Sequence, residues 1–134
     1  MTFAKPRAIH TPEAPPPAGP YSQAIVCGNL VFIAGQTPRD PSGKRLLDRP
    51  FTEQVERTLQ NLEAVARAAG GSLRNAVKVN VFLRPGADVA AFNAIYERFV
   101  AEPFPARTTT ISDLSIGMLE VDAVLWLDER TDPR

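Results

Sequence analysis

A chain of 134 residues with 44% hydrophobic and 22% charged residues fits one soluble globular domain, spanning 1–134, whose core can stand without disulfides. Fifteen basic and fifteen acidic residues cancel and neither sign forms a run, which argues against a nucleic-acid partner that would need a positive stripe. A single cysteine, Cys27, and a single histidine, His10, allow no intrachain disulfide and no tetrahedral zinc site, and no apolar run approaches membrane-spanning length, so a cytoplasmic protein without a membrane partner is expected.

Residues 1–20 hold many of the thirteen prolines, among them Pro15-Pro16-Pro17 and Gly19-Pro20, and read as an extended arm without regular structure. His10 lies in that arm, poorly held for any nucleophile system that would depend on it. Tyr21–Cys27 and Leu30–Gly35 are β-rich runs separated by Gly28-Asn29, the pattern of a hairpin whose glycine takes the positive φ of a II′ turn. Cys27, at the end of the first run, is expected to be a small core residue. Both faces of the second run are apolar, so it must be covered on both sides. Gly35 closes it and leaves backbone groups open for a loop or a ligand. Pro38–Pro50 is a polar loop with room for a short extra hairpin.

Val55, Leu59, Leu62, Ala66 and Ala69 recur at helical spacing over Phe51–Ala69, and Gly70-Gly71 ends that helix. Val77, Val79, Val81 and Leu83 alternate with Lys78, Asn80 and Phe82, which predicts a strand with one apolar face. Asp88 is placed to cap a second helix with the stripe Val89, Phe92, Ile95, Tyr96, Phe99 and Val100. Pro103 and Pro105 cannot continue it and straighten the chain into Arg107-Thr108-Thr109-Thr110-Ile111, a β-branched strand entered by an arginine. After a turn around Gly117, Leu119, Val121, Ala123, Leu125 and Leu127 point one way along a last strand, and Glu120, Asp122, Val124 and Trp126 the other.

Hairpin, helix, strand, helix, strand, strand is the order of an α+β sandwich, a mixed sheet with two helices on one face. Two helices cover only that face. Phe82, Val124, Trp126 and one side of the hairpin lie on the other, so a second copy of the chain is expected to bury it. From spacing alone, Arg107 is either a surface arginine paired with an acid or a planar fork for a ligand carboxylate. Glu120 and Asp122 are either an interface ion pair or a catalytic pair.

Several motifs in order add something more specific: Gly19-Pro20-Tyr21-Ser22-Gln23-Ala24, Ala34-Gly35-Gln36-Thr37-Pro38, Phe92-Asn93-Ala94-Ile95-Tyr96, Phe104-Pro105-Ala106-Arg107-Thr108 and Leu119-Glu120-Val121-Asp122-Ala123. Together, over about residues 8–127, the chain resembles the reactive intermediate deaminase (Rid, or YjgF) family. The resemblance implies a chorismate-mutase-like trimeric barrel with sites in the clefts between subunits. It implies a 2-iminobutanoate/2-iminopropanoate deaminase that hydrolyses 2-imino acids to 2-oxo acids and ammonia, with no metal or organic cofactor. By motif, Arg107 would clamp the substrate carboxylate and Glu120 would position or activate water. Tyr21 and Asn93 would line the pocket, and the backbone at Ala34 and Gly35 would complete it.

Two departures stand out. Thr109 occupies a position where members of the family often carry cysteine, and Ala34 replaces a frequent serine; the threonine hydroxyl can still bond a ligand. The alternatives are a relative acting on another small imine, enamine or carbamate acid, and a trimeric sensor or chaperone-like binder of small carboxylates. Some relatives are linked to RNA cleavage, which the neutral charge does not favour here.

Overall fold

The computed structural model describes residues 5–128. Its elements run β1 (Arg7–Ile9), β2 (Ala24–Cys27), β3 (Leu30–Gln36), α1 (Phe51–Ala68), β4 (Ala76–Leu83), α2 (Val89–Tyr96), β5 (Ala106–Ile111) and β6 (Leu119–Trp126). The strands make one mixed sheet in the order β1-β2-β3-β6-β4-β5, in which only β4 and β5 are parallel. A parallel pair needs a crossover, and α2 supplies it.

Periodicity decides what is buried. Val31 and Ile33 of β3, Val79, Val81 and Leu83 of β4, and Leu119, Val121, Ala123 and Leu125 of β6 form one apolar face. Against it α1 lays the expected stripe of Val55, Leu59, Leu62 and Ala66. This is the α+β sandwich with both helices on one side. α1 ends at Ala68 and Gly70 follows with φ of 95°, a left-handed conformation that favours glycine. Asp88 caps α2, its Oδ1 accepting from the Ala91 N–H at 3.0 Å. Gly28, with φ of 58°, makes the hairpin turn. The polar loop does contain a short extra hairpin, joined by a bridge between Arg39 and Arg45.

Five expectations are corrected. The Pro-rich arm carries a strand, β1, paired with β2, because Gln23 captures the arm: its side chain accepts from the Thr11 N–H at 2.7 Å and donates to the Thr11 and Pro15 carbonyls at 3.0 Å each. Val77 is exposed, since a register shift between Ala76 and Lys78 flips the strand's phase and turns Ala76 inward in its place. α2 stops at Tyr96 instead of reaching Val100, and its first residue, Val89, is exposed. Cys27 is exposed, being the last residue before the hairpin turn and out of phase with buried Val26.

The second face of the sheet carries Phe32 and Trp126, 45% and 46% exposed, with Val124 half-buried between them, as the alternation anticipated. Among the described residues no helix is long and apolar enough to cross a membrane.

Candidate functional site

A bulge opens the site. Between Ile33 and Gln36 the β3–β6 pairing slips, so Ala34 and Gly35 leave the regular ladder. Glu120, on the uncovered face of β6, reaches over this gap. A Cβ added to Gly35 would sit 2.2 Å from Glu120 Oε2, so glycine is what lets the carboxylate lie against the main chain. A cleft of about 200 Å³ opens there, lined by Tyr21, Gly35, Arg39, Arg45, Ile116 and Glu120 among others. Ala34 lies beside it, its N–H donating to the Gln23 carbonyl at 2.9 Å.

The electrostatics single out the acid. Burial, with a smaller contribution from the neighbouring Asp122 charge, raises the Glu120 pKa above the ordinary glutamate value of 4.5. Asp122 is held by Asn80, whose Nδ2 donates to it at 2.9 Å. The Tyr21 hydroxyl accepts from the Ala18 N–H at 3.0 Å, which leaves its own proton for another acceptor.

The remaining expected residues form a second group. Arg107 sits on edge strand β5, in register with buried Val79, and so on the helix side of the sheet. Its Cζ lies 5.0 Å from the Tyr96 ring centroid and 5.6 Å from that of Phe92, two stacked rings of α2. The Tyr96 hydroxyl is buried without a hydrogen-bond partner, and burial raises its pKa although the Arg107 charge opposes that rise. Asn93 on α2 and Thr109 on β5 are exposed. Among the described residues no carboxylate lies within ion-pairing distance of Arg107.

Thus Tyr21, Ala34, Gly35 and Glu120 come together, while Arg107, Asn93 and Thr109 lie around α2 and β5. A single chain does not bring Arg107 to Glu120, because the two point to opposite faces of the sheet. Sequence reasoning missed Arg39 and Arg45 in the cleft: both fall in a loop of irregular spacing, where no periodicity assigns a direction.

Residues 11–124 match the model of the family described as Endoribonuclease L-PSP. The chain belongs to this family, the Rid family of the sequence resemblance. A 2-iminobutanoate/2-iminopropanoate deaminase of Dermatophagoides farinae is 39% identical, over 91% of this chain and 97% of that protein. A RutC family protein of Pyrococcus abyssi is 40% identical, over 88% of this chain and 94% of that one. Among solved structures, RidA of an Antarctic Psychrobacter superposes with a TM-score of 0.84 at 36% identity, covering 90% of this chain and 99% of that chain. The mixed sheet with two helices is therefore the Rid fold, and the relatives carry both deaminase and RutC names.

Proposed function

We propose that this Rid protein hydrolyses 2-imino acids, the 2-iminobutanoate/2-iminopropanoate class, to 2-oxo acids and ammonia, acting in the cytoplasm as a homotrimer. The observation that carries this reading is the Glu120 carboxylate, laid against Gly35 in a cleft and raised in pKa by burial. A carboxylate so placed is a better base than an exposed one and suits water activation. In the proposed reaction Glu120 takes a proton from water as its oxygen bonds to the imine carbon, and the C=N electron pair moves to nitrogen. The proton held by Glu120 is delivered to that nitrogen, and as the C–N bond breaks the new hydroxyl gives its proton back to the Glu120 carboxylate while its electron pair forms the C=O bond, releasing ammonia and leaving the 2-oxo acid. The Tyr21 hydroxyl, with its proton unspent, is suited to the charge that develops on nitrogen. An imine carbon beside a carboxylate is already electrophilic, so this chemistry asks for positioning and proton transfer, not for a metal or an organic cofactor.

The substrate carboxylate is assigned to Arg107, whose fork is braced on the Phe92 and Tyr96 rings without an acidic partner among the described residues. Since Arg107 and Glu120 lie on opposite faces of one sheet, the reading places Arg107, Asn93 and Thr109 of one subunit beside Tyr21, Gly35 and Glu120 of the next. The test generates the imine in situ with an amino-acid oxidase and follows its disappearance with and without the protein. Charge-assisted hydrogen bonds contribute roughly 1.5 to 3 kcal/mol each, so Arg107→Ala is expected to lower acceleration on the order of a hundredfold while the oligomer survives. Wild-type protein that leaves the imine decay unchanged while binding 2-oxo acids would establish a carboxylate sensor instead.

A further inference from the structure

The same cleft holds two guanidinium groups that a 2-imino acid with a methyl or ethyl side chain gives nothing to do. Arg39 and Arg45 face each other across the bridge of the small hairpin, and both line the space that Glu120 lines. The hairpin is fixed in place. Asn61, fully buried on α1, donates to the Arg39 carbonyl at 2.7 Å and the Thr37 carbonyl at 3.3 Å, and Arg39 Nη2 donates to the Pro16 carbonyl.

Neither arginine is matched by an acid. Among the described residues neither has an ion-pair partner, and the adjacent Asp40 turns its Oδ1 to the Ser42 and Lys44 N–H groups. Arg39 Nε is buried without a hydrogen-bond partner. Glu120 makes no ion pair with either of them. The cleft thus presents two guanidinium groups without ion-pair partners beside one acid, and a guanidinium fork is matched by a carboxylate.

We propose that the cleft takes a 2-imino acid bearing a second, side-chain carboxylate, with Arg45 and Arg39 as the specificity-determining residues for that distal group. This rests on the imine-hydrolysis reading and narrows it: Arg107 keeps the carboxylate next to the imine carbon, and the loop arginines take the far one. The reaction is unchanged, water adding to the C=N carbon and ammonia leaving, and a dicarboxylic 2-oxo acid is the product. The reaction that supplies such a substrate is a two-electron oxidation of an acidic amino acid at its Cα–N bond.

The experiment compares 2-iminosuccinate, made in situ from aspartate by L-aspartate oxidase, with 2-iminobutanoate made by a general amino-acid oxidase. Wild type is expected to show the higher kcat/KM on the dicarboxylic imine. In Arg45→Gln the ratio of the two kcat/KM values is expected to fall ten- to a hundredfold, carried by KM for the dicarboxylic substrate, and Arg39→Lys is expected to retain more of the preference than Arg39→Gln. Wild type without that preference, or an Arg45→Gln ratio equal to wild type, overturns this inference while leaving imine hydrolysis standing. If neither imine is hydrolysed, the catalytic reading falls and calorimetry decides the binding claim. Tighter binding of 2-oxoglutarate than of 2-oxobutanoate, lost in Arg45→Gln, supports it; equal affinities overturn it.

Discussion

At the scale of single residues, the proposed chemistry turns on the close approach of Gly35 and Glu120. Any side chain at Gly35 would have to displace the carboxylate, so the glycine sets where the acid lies as well as how the strand bends. Glu120 is also a cost to the fold. Its folded-state pKa lies above 4.5, so between that value and the raised one the folded chain binds more protons than the unfolded chain. Stability therefore falls as pH rises through this window, and the cost is fully present above it. Glu120→Gln keeps the shape and removes the charge. It is expected to match or exceed wild type in Tm at pH 7 to 8, with the difference shrinking as pH drops below 4.5. A lost general base is worth about a hundredfold or more in rate, so the same variant should lose imine hydrolysis. Thermal melts across pH read the first effect and the oxidase-coupled assay the second; a variant clearly less stable than wild type at neutral pH would contradict the burial argument.

At the scale of elements, the arm shows how one side chain can decide what a segment does. Gln23 is 1% exposed, and its amide ties Thr11, Ala14 and Pro15 to the start of β2 while its own carbonyl receives the Ala34 N–H beside the cleft. Gln23→Ala would strand several buried backbone groups, a loss of about 2 to 4 kcal/mol, or roughly 10 °C in Tm for a domain of this size. The arm should then become the first segment cut in limited proteolysis; an unchanged melt would mean that water replaces the amide at no cost. Elements governed by periodicity were readable in advance: the α1 stripe, the alternation of β6, the Asp88 cap and the Gly28 turn. What could not be read depended on partners distant in sequence. Nothing local to residues 7–9 specifies pairing with β2, since that pairing waits on Gln23. The bulge at Ala76–Lys78 that exchanges Val77 for Ala76 arises from its fit to β6, and the backbone at Arg39 is held by Asn61 of α1, a partner distant in sequence. The candidate site could be proposed from residue types and motifs, but the division of Arg107 from Glu120 follows from strand order, which the sequence leaves open.

At the scale of the whole molecule, the proposed assembly would account for both that division and the uncovered sheet face. The face opposite the helices sets Phe32 against Val124 in register, with Ile25 on the other side of Phe32 and Trp126 opposite Leu30, a continuous apolar area next to the cleft of Glu120. Covering a few hundred Å² of such surface at about 25 cal/mol per Å² favours association by several kcal/mol, and an association that also carries Arg107 to a neighbour's Glu120 would complete the proposed site. Phe32→Glu separates these ideas from mere stickiness. The substitution puts a charge at the centre of the apolar area without touching the helix-side core, so the circular dichroism spectrum should stay that of the wild type. Light scattering at micromolar concentration should show the wild type as three copies and the variant as one. Hydrolysis should fall with the loss of the oligomer even though Glu120, Tyr21 and Arg107 are all still present. A monomeric variant with full activity would mean that one chain suffices, and the carboxylate clamp would then have to be sought within the cleft itself, at Arg39 and Arg45.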